Sequence, residues 1–461
     1  MRPAGTATTV PSSFRDPAGF LFERESTLYR QVNTTSREAY DLFMASGLYD
    51  ELVASKLLIP HVEMSQEYAA TAGAYKVLRP ERIGFISYPY EWSFSQLQQA
   101  ALATLAIQKA ALARGMSLKD ASAYNIQFRN GGPVLIDTLS FERCREGRPW
   151  PAYGQFCRHF LAPLALMSFR DLRLGQLLRV HLDGVPLDLA SSLLPWSTRL
   201  HFPLLCHLHL HAQSQKRFAG RAELSKGRVM SRFAHLALVD SLESGIRRLR
   251  VRTPKSFWAA YYGETNYSDR SFEAKKENLS NFLDRIRPKT VWDLGANTGL
   301  FSRIASQKGA FVVSFDMDPM AVEMHARQCA KDLEARVLPL VLDLTNPSPS
   351  IGWENAERLS LSQRAGADCV LALALAHHLA ISNNLPLDRI AAFFAKLSEW
   401  LVIEFVPKSD SQVRRMLSCR EDIFPEYRQE IFEERFGAYF AIENAVKLGD
   451  SERTLYLMRR R

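Results

Sequence analysis

Residues 291–299 read VWDLGANTG, and the rest of the chain is best understood outward from them. Val291, Trp292 and Leu294 suit a short buried strand that runs straight into a turn bounded by Gly295 and Gly299. Glycine lets the backbone turn closely, and a helix beginning near Leu300 would turn its first unpaired amides toward a ligand. A dinucleotide fingerprint needs its glycines as G-x-G-x-x-G. Here they fall as G-A-N-T-G, with Asp293 two residues ahead of the first. That acid argues for a sulfonium-bearing amino-acid ligand, so the turn points to S-adenosylmethionine.

From Thr290 onward apolar strands alternate with helical patterns, which implies a parallel sheet with helices on both faces. Strands are predicted at 290–294, 311–316, 336–342, 368–373, 400–405, 438–444 and 453–459. The second ends in Asp316, about 20 residues past the turn, where a carboxylate can accept both ribose hydroxyls of a nucleoside. Asp318, ahead of Pro319, is read as the N-cap of the next helix. The third strand delivers Asp343 to the same edge, either to accept from an adenine amine or to close an Asx turn before Pro347. The fourth runs into LALAHHL, placing His377 and His378 just past its end, and the fifth places Glu404 next along the edge.

In order and spacing these features resemble the class I S-adenosylmethionine-dependent methyltransferases, over 293–461. The resemblance implies Asp293, Gly295 and Gly299 around the methionine moiety, Asp316 on ribose and Asp343 near adenine. Asn297 stands at the family's middle glycine and tolerates a left-handed backbone better than most residues. Methyl transfer from a sulfonium needs alignment and, for some acceptors, a base. His377 and His378 are the candidates. The plainer alternative has one lining the adenine pocket and the other packed in the core, while Glu404 orients a substrate or caps a turn. No N-P-P-Y-like segment and no Pro-Cys pair follows the fourth strand, which disfavours amino-group methylation of adenine or glutamine and attack on cytosine carbon. Cys369 reads as a small buried hydrophobe.

The first half carries a second constellation, LKDASAYNIQFRNGGPVLIDTLSFE at 118–142. Asn130-Gly131 is a hairpin signal, and pairing 125–128 with 133–137 brings Asn125 and Asp137 together at the open end. Both can ligate magnesium, with Asp120 upstream to orient a hydroxyl. The arrangement resembles the catalytic loop and metal-binding aspartate of the protein-kinase-like fold. It departs from that fold where Leu118-Lys119 replaces His-Arg, where Thr138-Leu139 follows the aspartate, and in lacking a glycine-rich nucleotide loop. Arg30, in LYRQV, occupies the strand where a phosphate-pairing lysine would be sought. A degenerate scaffold is therefore expected over an ATP- and magnesium-using kinase, and the local alternative gives Asp120 a turn cap and Asp137 a bond to Ser140.

At 461 residues with 47% hydrophobic content the chain is expected to form two or three domains. The net charge of +9 is spread along the chain. Cys144, Cys157, Cys206, Cys329, Cys369 and Cys419 are scattered without a C-x-x-C pair, which fits a reducing cytoplasm. The first residues lack the apolar run of a signal peptide, and no run approaches the roughly 20 residues that span a bilayer. In HFPLLCHLHLHA, His207 and His211 share a helix face at a spacing able to bind zinc, but no glutamate lies between them and the leucines look like core.

The organisation expected is an arm at 1–19, a kinase-like α/β region at 20–143, a helical lobe at 144–252, a linker and helix at 253–289 and a doubly wound methyltransferase domain at 290–461. A paired strand is expected at 20–32, a helix at 37–57 and a long helix at 95–114. The whole-chain layout also resembles rhizobial nodulation-associated methyltransferases, which implies a carbohydrate or lipid-linked acceptor. An RNA methyltransferase using the basic surface, and a binding module with two nucleotide-type pockets, are the alternatives.

Overall fold

A computed structural model describes residues 6–218, 230–251, 268–364, 366–418 and 421–461. The chain divides into two compact units, Met1–Arg252 with Ser350–Arg358, and Thr253–Pro349 with Leu359–Arg461. Most of the stretch expected to hold a boundary, 253–272, lies outside the described residues, as does Cys419.

The first unit begins with an antiparallel sheet in the order β1-β2-β3-β5-β4, formed by β1 (Thr8–Thr9), β2 (Gly19–Arg24), β3 (Thr27–Asn33), β4 (His61–Met64) and β5 (Ala74–Pro80). The expected 20–32 pair is β2 and β3, in register Phe20 to Gln31. The single helix expected over 37–57 is two, α1 (Arg37–Ala45) and α2 (Leu48–Ala54), because Gly47 takes φ +74° and turns the chain. The helix α3 (Phe94–Ala113) is capped by Ser93, whose hydroxyl accepts from Gln96 N–H while the Gln96 side chain returns to Ser93 N–H. Two small ribbons follow: β6 (Met116–Leu118) pairs with β9 (Phe141–Arg143), and β7 (Ile126–Arg129) with β8 (Gly132–Leu135). Asn130 at φ +50° and Gly131 at φ +77° supply the left-handed pair that a tight hairpin needs.

The helical part that follows contains α4 (Tyr153–Phe156), α5 (Ala162–Phe169), α6 (Leu177–Val180), α7 (Leu187–Leu193), α8 (Phe202–Leu204), α9 (His211–Phe218) and α10 (Arg232–Arg248). Wider π turns occupy Cys157–Leu161 and Leu205–Leu210.

In the second unit α11 (Asp269–Ile286) leads into β10 (Thr290–Leu294), α12 (Leu300–Gln307), β11 (Phe311–Asp316), α13 (Pro319–Lys331), β12 (Val337–Val341), β13 (Ala367–Ala372), α14 (Leu387–Leu397), β14 (Ser398–Phe405), α15 (Ser411–Leu417), α16 (Gln429–Gly437), β15 (Phe440–Lys447) and β16 (Thr454–Arg460). The seven strands lie in the order β12-β11-β10-β13-β14-β16-β15, with β16 antiparallel to both neighbours. This is the mostly parallel seven-stranded sheet of the class I methyltransferase fold. The parallel strands are buried on both faces, so they read as near-continuous apolar runs. Val291, Val312, Val337, Cys369, Leu371, Val402 and Leu457 form one core with Leu279, Phe282 and Leu283 of α11. Among the described residues no helix is long and apolar enough to cross a membrane.

Candidate cofactor and acceptor site

The turn after β10 holds three left-handed residues in five: Gly295 (φ +78°), Asn297 (φ +51°) and Gly299 (φ +76°). Asn297 supplies that conformation in a side chain, and its Oδ1 accepts from Thr298 N–H at 2.7 Å. The turn is tied to the end of β11, because Gly295 and Ala296 N–H both donate to Phe315 O at 2.9 Å. Asn297 N–H donates to Asp316 Oδ2 at 2.7 Å, and Asp318 N–H to Asp316 Oδ1 at 2.9 Å. Gly299 starts α12, and a Cβ there would lie 1.9 Å from the His325 ring of α13. His325 is buried, with Nδ1 3.2 Å from Ser314 Oγ. Burial drives its pKa down to about 3, so the ring under the turn is neutral.

Asp293 is buried at the end of β10 and accepts from Ser302 Oγ at 2.6 Å. Burial pushes its carboxyl up to about 6, and burial likewise pushes Asp316 up to about 6. Two carboxyls short of solvation beside a glycine turn suit a ligand that brings an ammonium and hydroxyl donors. Asp318 caps α13 by accepting from Met320 N–H at 2.8 Å. Asp343 closes an Asx turn, its Oδ1 accepting from both N–H and hydroxyl of Thr345 at 2.8 and 2.7 Å.

Beyond β13, Ala374 takes φ +51° and sends the chain into His377 and His378. Their rings lie 4.3 Å apart. His377 is 1% exposed, both of its ring nitrogens are buried without a hydrogen-bond partner, and burial holds it neutral. Burial also lowers His378, to about 4.

Glu404 is fully buried, with Oε2 2.6 Å from Lys275 Nζ and Oε1 3.3 Å from Arg453 Nη1. Arg453 Nε in turn donates to Asp410 Oδ2 at 2.8 Å. The Glu404 carboxylate is thus committed to two cations. Neither Lys275 nor Arg453 stood out in the sequence. Lys275 sits in the charged run EAKKEN, yet it falls on the stripe 275, 279, 282, 283 whose other members are Leu279, Phe282 and Leu283. A cation in an otherwise apolar stripe is the signal that would have found it.

In the first unit the hairpin places Asn125 O on Ile136 N–H at 2.8 Å, one residue before Asp137. Asp137 Oδ1 lies 2.5 Å from Arg30 Nη2, and its other oxygen accepts from Ser140 Oγ. Arg30 also reaches Asp16 at 3.5 Å. Asp120 accepts from Ser122 N–H at 2.9 Å, a turn cap, while Asn125 Nδ2 is buried without a partner. An arginine therefore stands against the carboxylate expected to hold magnesium. Among the described residues no group of three or more His, Cys, Asp or Glu side chains could hold a metal ion. His207 makes hydrogen bonds to Tyr153 and Ser241, both at 2.9 Å, and His211 stacks on Tyr153. His207 is thus satisfied by two hydroxyls, as a core residue is, and His211 packs its ring against its neighbour.

No family model matches the chain. It is 37% identical to the nodulation protein NoeA of Rhizobium meliloti (strain 1021) over 461 residues, covering 98% of this chain and 96% of that one. Among solved structures, the PH0226 protein of Pyrococcus horikoshii OT3 shares 17% identity at a TM-score of 0.33, over 45% of this chain and 100% of that one. The N-methyltransferase NodS of Bradyrhizobium japonicum WM9 shares 11% identity at a TM-score of 0.30, over 42% and 98%.

Proposed function

The chain belongs to the family of the nodulation protein NoeA, and on that premise we propose that it is an S-adenosylmethionine-dependent methyltransferase acting on a carbohydrate or lipid-linked acceptor. The observation that carries this reading is the turn at 295–299, with three left-handed residues between the carboxyls of Asp293 and Asp316 at the carboxyl edge of a parallel sheet. Ligands of open α/β sheets bind at that edge. When bound, S-adenosylmethionine supplies a methyl group already activated by its sulfonium.

The chain's own residues then bind and orient. Asp293 would accept from the amino group of the methionine moiety, and Gly295, Asn297 and Gly299 let the backbone come close to it. Asp316 keeps its two backbone bonds and offers its remaining lone pairs to ribose hydroxyls, while Asp343 stands toward adenine. His377 and His378 are the candidates for removing the acceptor's proton. Burial keeps His377 and His378 in the neutral form from which an imidazole accepts a proton, and the same burial makes both weak bases. Glu404, held by Lys275 and Arg453, orients rather than reacts.

We read the first unit as an acceptor-binding or regulatory part that does not transfer phosphate, because Arg30 neutralises the carboxylate that magnesium would need. ATP with magnesium is then expected to leave its thermal stability unchanged.

Titration calorimetry with S-adenosylmethionine tests the main reading. The full chain should bind, and Asp316→Ala should bind roughly 10- to 100-fold more weakly, the loss of one or two hydrogen bonds to a charged group. Equal affinity in the variant removes the ribose assignment, and no binding by the full chain removes the reading. Labelled methyl transfer into lipid, saccharide and RNA fractions then identifies the acceptor, with label in RNA counting against a carbohydrate.

A further inference from the structure

Lys275 is a charge in the second unit with no part in binding or base chemistry, yet it is only 2% exposed. We propose that Lys275 is a positioning residue for the cofactor: its ammonium, fixed between Glu404 and the α12 end of the glycine turn, keeps the Asp293 carboxylate anionic and able to receive the cofactor's amino group. This rests on the methyltransferase reading.

The geometry comes from four elements. Lys275 on α11 reaches Glu404 on β14 at 2.6 Å, and its ammonium stands 4.6 Å over the ring of Phe301 on α12. The next residue, Ser302, holds Asp293 at 2.6 Å. Between β10 and β14 lies β13, whose Leu371 stands opposite both Asp293 and Val402 and, with Leu373, belongs to the apolar core on the α11 side. Acids and bases alternate through Asp293, Lys275, Glu404, Arg453 and Asp410.

The groups acting on Asp293 divide clearly. Its own burial and the nearby Asp316 on β11 favour the neutral acid, while Ser302 and Lys275 favour the anion. Cys369 on β13 lies within its field and stays a protonated thiol, held up by burial. Lys275 itself is pulled down by burial and by Arg453 and held up by Glu404 and Asp293. His377 feels both Arg453 and Lys275, which reinforce its neutrality. Stability alone gives little reason for this lysine, because a buried ion pair is often no better than apolar residues of the same volume. A carboxyl poised at about 6 beside a cofactor that needs it ionised does give one.

The test is the affinity for S-adenosylmethionine, by calorimetry from pH 5.5 to 8.5, of the full chain and of Lys275→Met, Lys275→Gln and Lys275→Arg. Removing the cation leaves Ser302 alone against burial and Asp316, so the acid side of the affinity profile moves to higher pH. For a shift of one unit, from about 6 to about 7, each neutral variant should bind about twofold more weakly at pH 7 and roughly eightfold more weakly at pH 5.5, and recover the parent affinity at pH 8.5. Lys275→Arg should keep the parent profile. A loss of equal size at every pH, or a loss shared by Lys275→Arg, marks a packing role and overturns the proposal. If Lys275→Met does not fold, Lys275→Gln, which can still hydrogen-bond Glu404, decides. Binding by the parent chain with unchanged profiles in the neutral variants defeats this inference alone, whereas no binding by the parent defeats the cofactor reading beneath it.

Discussion

At the scale of single residues, Gly299 is the most constrained position in the turn. It needs a left-handed backbone, and the His325 ring occupies the space a Cβ would take. Gly299→Ala is expected to cost about 2–4 kcal/mol, combining the left-handed penalty with overpacking. A urea midpoint measured alongside Gly299→Ala/His325→Ala checks the cause: the double variant should recover part of the loss, and an additive result would mean that the imidazole is not the obstacle. The requirement for Gly299 was legible from G-A-N-T-G, but its cause was not. His325 belongs to an ordinary helical run, HARQCA, and only the packing of α13 under the turn gives it meaning. Arg30 shows the opposite case. It is an odd residue for its strand, and its ion pair with Asp137 depends on a contact more than a hundred residues away in sequence.

Elements were legible where their pattern is local. The five parallel strands of the second unit fall within two or three residues of the positions read from apolar periodicity, since a parallel strand buried on both faces has an unmistakable composition, and the antiparallel β15 and β16 fall within the same margin. The hairpin at 126–135 was equally plain from Asn130-Gly131. Short ribbons were less so: β4 and β5 carry half-polar sequences, and β6 and β9 pair across the whole β7–β8 hairpin. The break at Gly47 was missed because helical spacing continues on both sides of it. The element that connects β13 to the histidine pair makes its own prediction. Ala374 holds φ +51°, a conformation glycine adopts freely, so Ala374→Gly should relieve about 1 kcal/mol of backbone strain and raise the thermal midpoint. If that strain serves to aim His377 and His378, methyl transfer should fall while stability rises, and the two measurements together distinguish aiming from mere tolerance.

For the whole molecule, the strict strand–helix alternation after Thr290 made the second unit's architecture readable, but nothing in the sequence marked residues 350–358 as part of the first unit. There Glu357 pairs with Arg15, and the Arg358 guanidinium stands 4.6 Å over the Tyr124 ring. A fragment ending at Arg252 lacks both contacts. Its thermal midpoint should lie below that of the same unit in the full chain, chiefly from the lost stacking of Arg358 on Tyr124. Hydrogen exchange at 120–126, compared between fragment and full chain, reads that difference directly, and equal protection would show the segment to be dispensable.

The same excursion bears on how the protein is made. A ribosome adds about 5–20 residues each second, and it must add about a hundred beyond Arg252 before Arg358 emerges. For roughly 5–20 s the nascent first unit therefore waits with Arg15 and Tyr124 unmatched, while the leading strands of the second are already outside the exit tunnel. Maturation of the amino-terminal half is thus timed by translation of the carboxyl-terminal half, and slow codons within 253–349 would lengthen the interval in which Arg15 and Tyr124 wait for their partners.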